Sequence, residues 1–113
     1  MLNKKLITAL QKRDDHCWEC GTTEDLTWHH RRNRGAGGSK LLDTLDNLMM
    51  VCARYNGEME SVSSVAQSAR ELGHKLSKFD KSNPPAFDKT TGIWFTLTEA
   101  GEKLPTEVER GLW

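Results

Sequence analysis

A chain of 113 residues suits one domain with a modest core, and 36% hydrophobic with 28% charged residues excludes a disordered segment. Sixteen basic residues balance sixteen acidic ones, which argues against indiscriminate coating of nucleic acid. No apolar run approaches the roughly 18 residues of a membrane span, and "MLNKKLITALQKRDD" lacks a signal core and cleavage site, so the cytoplasm is the expected location.

The charge is unevenly spread. Residues 1–40 carry eight Lys and Arg against five acids, and residues 41–113 carry eight against eleven. A local basic patch near the N-terminal third can still guide a phosphate backbone.

In chain order, Leu2, Leu6, Ile7 and Leu10 fall at helical spacing and predict an amphipathic helix over residues 2–13. "CWECG" predicts a tight turn, and Leu26–Trp28 a short extended run leading into His29 and His30. "RRNRGAGGSK" holds too many glycines for a helix and reads as a long loop, with Gly35, Gly37 and Gly38 serving its turns. Leu41, Leu42 and Leu45 suggest a helical turn capped by Ser39, and "NLMMVC" a buried strand. Met59, Val62, Val65, Ala66, Ala69 and Leu72 line one face of a long helix that Gly73 stops. Beyond it, "KLSKFD" and "IWFTLT" predict two short strands separated by Pro84 and Pro85, and "TEAGEKLP" turns the second strand back. Trp28 and Trp94 are expected in the core rather than in base stacking, and His16 and His74 have no assigned part in catalysis.

Cys17, Cys20 and Cys52 make an odd set. In a cytosolic chain Cys-x-x-Cys reads as metal-binding or redox before it reads as a disulfide, and no βαβ pattern accompanies it, so metal is the better reading.

The segments "CWEC", "LTWHHRRNRGAGG" and "DNLMMVCARYNGEMES" together resemble the HNH endonuclease family, in particular the small HNH proteins of bacteriophages and prophages. The resemblance covers residues 16–62. It implies a single α+β domain with a ββα-metal core over about residues 16–73, preceded by an N-terminal helix and followed by a small β tail over about 74–113. Carried across residue by residue, it makes His29 a ligand of a catalytic metal and His30 the general base. Asn47 becomes the residue that holds the base's loop and imidazole, and Asn56 the second metal ligand where the family normally has histidine. A second departure is Tyr55, which stands where the family's structural zinc takes a fourth cysteine; Cys17, Cys20 and Cys52 remain. His16, a water or the Tyr55 phenol is available to complete that set, and three reduced thiols packed around Tyr55 is the alternative.

The chemistry suits the residue types. Histidine can deprotonate water near neutral pH, and one divalent ion stabilises charge on the phosphate and leaving oxygen. A His29 and Asn56 pair favours Mg²⁺ or Mn²⁺ over softer ions. Arg31, Arg32 and Arg34, in a loop beside such a site, are expected to grip DNA phosphates. The resulting expectation is a metal-dependent endonuclease on double-stranded DNA, cutting or nicking, with a phage packaging (terminase) protein as a further partner. Two rivals stand beside it: an HNH-like module that holds nucleic acid without cutting, favoured by Tyr55 and Asn56, and a structural adaptor that contacts protein through its β tail.

Overall fold

A computed structural model of the chain describes residues 2–33, 42–77 and 82–108. It is an α+β protein with three helices and two small sheets among those residues. Arg34, Gly35, Gly37, Gly38, Ser39 and Leu41 lie outside the described residues.

Helix α1 spans Lys4–Arg13. The Asn3 side chain accepts from the Leu6 amide at 2.9 Å, satisfying one of the orphan donors at the helix start, and Lys12 and Arg13 suit the negative end of the helix dipole. The helix stops at Asp14, whose buried carboxylate accepts from Trp18 Nε1 at 2.9 Å and the Met50 amide at 3.1 Å. Arg13 bonds that carboxylate at 2.8 Å and reaches the carbonyls of Leu45 and Leu48 at 2.7 and 2.6 Å. Two adjacent charged residues thereby pin the helix end onto the following sheet.

Strands β1 (Leu26–His30) and β2 (Leu48–Cys52) pair antiparallel, with Leu26 opposite Cys52 and His30 opposite Leu48. A single 3₁₀ turn, Leu45–Asn47, leads into β2. All five residues of β2 are buried because the strand is sandwiched. Leu48 and Met50 join Leu2 and Leu10 on the α1 side, while Met49 and Val51 join Trp18, Tyr55 and Met59 on the other. That division is the period-two alternation of a strand with apolar partners on both faces.

Cys52 caps helix α2 (Ala53–Ser61), its Sγ accepting from the Tyr55 amide at 3.4 Å. The long helix predicted through residue 72 is in fact two, α2 and α3 (Ser63–Glu71), broken at an extended Val62. Val62 is exposed, although helical periodicity places it on the buried face. A β-branched residue flanked by serines has weak helix propensity, and Ser61 Oγ already donates back to the Gly57 carbonyl at 2.8 Å. Two short helices can then turn separate stripes inward, Tyr55 and Met59 from one and Ala69 from the other.

The predicted stop at Gly73 holds: the residue has φ +74°, and a Cβ there would lie 2.3 Å from the Pro85 carbonyl oxygen. "KLSKFD" is not a strand in its described part; Leu76 makes a lone parallel bridge to Arg32. The second sheet instead begins after the prolines, which suit a strand's start but not its interior. Its order is β3 (Ala86–Asp88), β4 (Ile93–Leu97), β5 (Lys103–Pro105), all antiparallel. This tail packs on Trp18: Phe95 meets the indole edge-on at 6.0 Å, and Lys103 Nζ lies 4.4 Å from the ring centre while 3.3 Å from Asp88.

Candidate functional site

One cleft of about 190 Å³ is lined by Trp28, His29, His30, Asn33, Asn56 and Glu60. The end of β1 supplies the first three, Asn33 follows three residues beyond the strand, and α2 supplies the last two from adjacent turns of one helical face. The structure therefore brings together His29, His30 and Asn56, and adds Trp28 and Glu60, which the sequence reading did not place there.

His29 is buried, and its Nε2 donates to the His74 carbonyl at 2.8 Å. A carbonyl can only accept, so the ring proton sits on Nε2 and Nδ1 keeps its lone pair. Burial pushes the His29 pKa down to about 4, which leaves the ring neutral at pH 7. A neutral, oriented imidazole with one free nitrogen is the state a metal ligand requires.

His30 is oriented from the other side of the strand end. Its Nε2 lies 2.8 Å from Asp43 Oδ1, with both side chains mostly buried. A carboxylate accepts, so the Nε2 nitrogen carries the proton and the ring is held in one orientation. Asn47 makes no bond of its own to that ring. Its Oδ1 accepts from the Arg32 amide at 2.8 Å, and its Nδ2 donates to the carbonyls of Arg32 and Leu42 at 3.2 and 3.0 Å. The asparagine thus ties the chain after His30 to the chain before Asp43, and Asp43 orients the imidazole.

The arginine expectation needs correction. Arg31 is 1% exposed, and its guanidinium donates to Gly73 O, Asp46 O, Asn83 Oδ1 and Pro84 O. Burial lowers its pKa to about 10, so it remains a cation inside the protein. Arg32 is also buried and donates to the Ser82 carbonyl. Both arginines are structural clamps with their forks turned inward, because the carbonyls of Asp46, Gly73, Ser82 and Pro84 would otherwise lack these partners. Neither is placed to grip a phosphate. Trp28 is a second correction: it is 38% exposed at the cleft and contributes nothing to the core, whereas Trp18 is fully buried.

A separate cluster lies at the opposite end of the β1–β2 pair. The sulfurs of Cys17, Cys20 and Cys52 all lie within 4.8 Å of one another, with Cys20 and Cys52 3.8 Å apart. Cys17 and Cys52 are buried and Cys20 is exposed, all three as free thiols. A backbone hydrogen bond from Thr22 holds the Cys20 thiol below its usual pKa, while burial raises that of Cys52. The group could bind a metal ion. Two completions suggested by the sequence are engaged elsewhere: the Tyr55 hydroxyl bonds His74 Nδ1 at 2.6 Å, and His16 bonds Asp15 at 2.7 Å and Asp88 at 3.2 Å.

Sequence reasoning missed Glu60, Asp43 and His74. Glu60 was within reach, since it follows Asn56 by four residues and so shares its helix face. Asp43 and His74 carried no local signal; each meets its histidine only through the tertiary fold. No family model, curated protein or solved structure matches the chain.

The two buried histidines set a pH limit on stability. Burial drives His74, like His29, down to about 4 from an unfolded value near 6.5. The unfolded chain therefore takes up protons first, so stability is full above pH 6.5 and falls between 6.5 and 4, by on the order of 3 kcal/mol per ring. His16 acts in a different window. Its partial burial opposes protonation, but Asp15 and Asp88 outweigh that and raise its pKa, so its contribution is lost only as pH rises above 6.5. Urea melts across pH 7 to 4 should show this decline, with about half of it abolished in His74→Gln; a flat profile to pH 4.5 would contradict buried neutral rings.

Proposed function

We propose that the chain is a divalent-metal-dependent endonuclease of the HNH type, hydrolysing phosphodiester bonds in DNA through a ββα-metal site. The observation that carries this reading is the convergence of His29, His30, Asn56 and Glu60 on one cleft, with His30 oriented by Asp43. The donor set fits a hard divalent ion: one imidazole nitrogen, one amide oxygen and one carboxylate, which favour Mg²⁺ or Mn²⁺ over Zn²⁺. His29, Asn56 and Glu60 would hold it. When bound, such an ion supplies Lewis acidity for the phosphate and for the departing oxygen.

The chain's own residues do the rest. His30 accepts a proton at Nδ1 from the attacking water, and Asp43 stabilises the imidazolium that results through the bond at Nε2. Asn47 keeps both partners of that pair in register. Trp28 forms an apolar wall of the cleft, while inward-facing Arg31 and Arg32 leave phosphate contacts to other residues. Asn56 in place of a histidine weakens one ligand, and Glu60 one turn further on, 3.5 Å from Lys75, adds a carboxylate to the set. No helix among the described residues is long and apolar enough to cross a membrane.

Nicking of supercoiled plasmid with Mg²⁺ or Mn²⁺ tests the reading. The native protein should nick; His30→Ala should slow it by roughly 10²- to 10⁴-fold, and Asp43→Asn should slow it without weakening DNA binding. Binding without metal-dependent nicking would identify a DNA-holding module instead, and equal nicking by His30→Ala would remove the proposed base.

For the thiol cluster we propose zinc, held weakly because three sulfurs replace the usual four protein ligands. Native mass spectrometry should find one zinc per chain in excess zinc and none after mild EDTA treatment, with uptake abolished in Cys20→Ser. Retention through EDTA, or no uptake at all, would contradict it.

A further inference from the structure

Tyr55 occupies the turn that carries the thiols, yet its side chain leaves them. Its backbone amide donates to Cys52 Sγ at 3.4 Å, while its hydroxyl runs to His74 Nδ1 at 2.6 Å. A cysteine at this position, with its sulfur one bond from Cβ, could not reach that far. His74 is fully buried and lies edge-on to both Tyr55 and Trp18, at ring separations of 5.7 and 6.1 Å.

The direction of each hydrogen bond follows from the acceptors. His74 Nε2 meets the Phe87 carbonyl at 2.6 Å, so it must carry the proton. Nδ1 is then an acceptor, and the Tyr55 hydroxyl must donate. The neutral ring is therefore satisfied at both nitrogens and locked in rotation. Its main chain is locked as well. The His74 amide donates to Ala69 O at 2.9 Å, and Gly73 before it takes a turn that no Cβ could share with Pro85. What this fixed residue offers outward is its carbonyl, which accepts from His29 Nε2 at 2.8 Å.

We propose that Tyr55 and His74 are positioning residues for the cleft: the tyrosine hydroxyl fixes His74, and the His74 carbonyl holds His29 as the Nε2–H tautomer with Nδ1 offered to a divalent cation. The same helix whose first turn holds Tyr55 carries Asn56 and Glu60 into the cleft. Tyr55 thereby links the helix turn beside Cys52 to the site. The final step, a cation at Nδ1, rests on the metal-dependent reading above; the tautomer and its dependence on Tyr55 do not.

The test is ring ¹⁵N NMR of the metal-free full chain, paired with Mn²⁺ titration followed by electron paramagnetic resonance. His29 should appear protonated at Nε2 and bare at Nδ1. Tyr55→Phe keeps the ring volume and should fold, yet His29 should shift toward a mixture of tautomers and Mn²⁺ affinity should fall about 10-fold or more. His74→Gln, should it fold, should shift the His29 spectrum in the same direction. A His29 protonated at Nδ1 in the native protein would overturn the proposal, as would a Tyr55→Phe protein with unchanged His29 signals and Mn²⁺ affinity. A tautomer that responds to Tyr55→Phe supports the link even in a protein that does not nick DNA. Absence of Mn²⁺ binding to the native chain would overturn the cation step alone.

Discussion

A guanidinium with no water to solvate it sits at the middle of this fold. Arg31 immediately follows the paired histidines, and four of its five N–H donors are spent on four oxygens from three separate stretches of chain. Taking a cation out of water costs several kcal/mol, and removing such a group leaves its acceptors stranded. The arrangement survives because the acceptors are already in place: the 3₁₀ turn before β2, the glycine stop after α3 and the Asn83–Pro84 segment before β3. The buried charge makes these segments mutually dependent, so the end of β1 cannot move without disturbing all of them.

That constraint places the chemistry. With Arg31 pointing inward, the preceding residues emerge at the strand end with fixed orientation, and each histidine finds a different oxygen. His29 meets a main-chain carbonyl and becomes a neutral, directional nitrogen donor. His30 meets the Asp43 carboxylate, which fixes the direction of its ring and, in the proposed mechanism, would hold the proton-accepting imidazole in place. Adjacent identical side chains thus take distinct roles from their surroundings alone. Helix α2 closes the cleft with an amide and a carboxylate, and its first turn is anchored both at Cys52 and, through Tyr55, at His74.

Much of this was legible in the sequence. Alternation and apolar runs located β1 and β2, periodicity located α1, and the glycine after Leu72 marked the helix end. The spacing of Cys17, Cys20 and Cys52 anticipated three sulfurs within reach of one ion. What was not legible depended on partners distant in sequence. The arginines read as phosphate contacts because nothing local reveals that Gly73 and Pro84 offer carbonyls to Arg31, and Ser82 one to Arg32. Trp28 looked like core because hydrophobicity does not report which side of a short strand faces a cleft. The break at Val62 was hidden by a continuous apolar stripe, since periodicity ignores the low propensity of the Ser-Val-Ser-Ser run.

If His29, Asn56 and Glu60 form one cation site distinct from the cysteines, crystals soaked in Mn²⁺ and measured by anomalous diffraction near the manganese edge should show it. One peak is expected in the cleft, bonded to His29 Nδ1 and to oxygens of Asn56 and Glu60. Manganese absent from the cleft, or bound there through a carboxylate with His29 turned away, would contradict it.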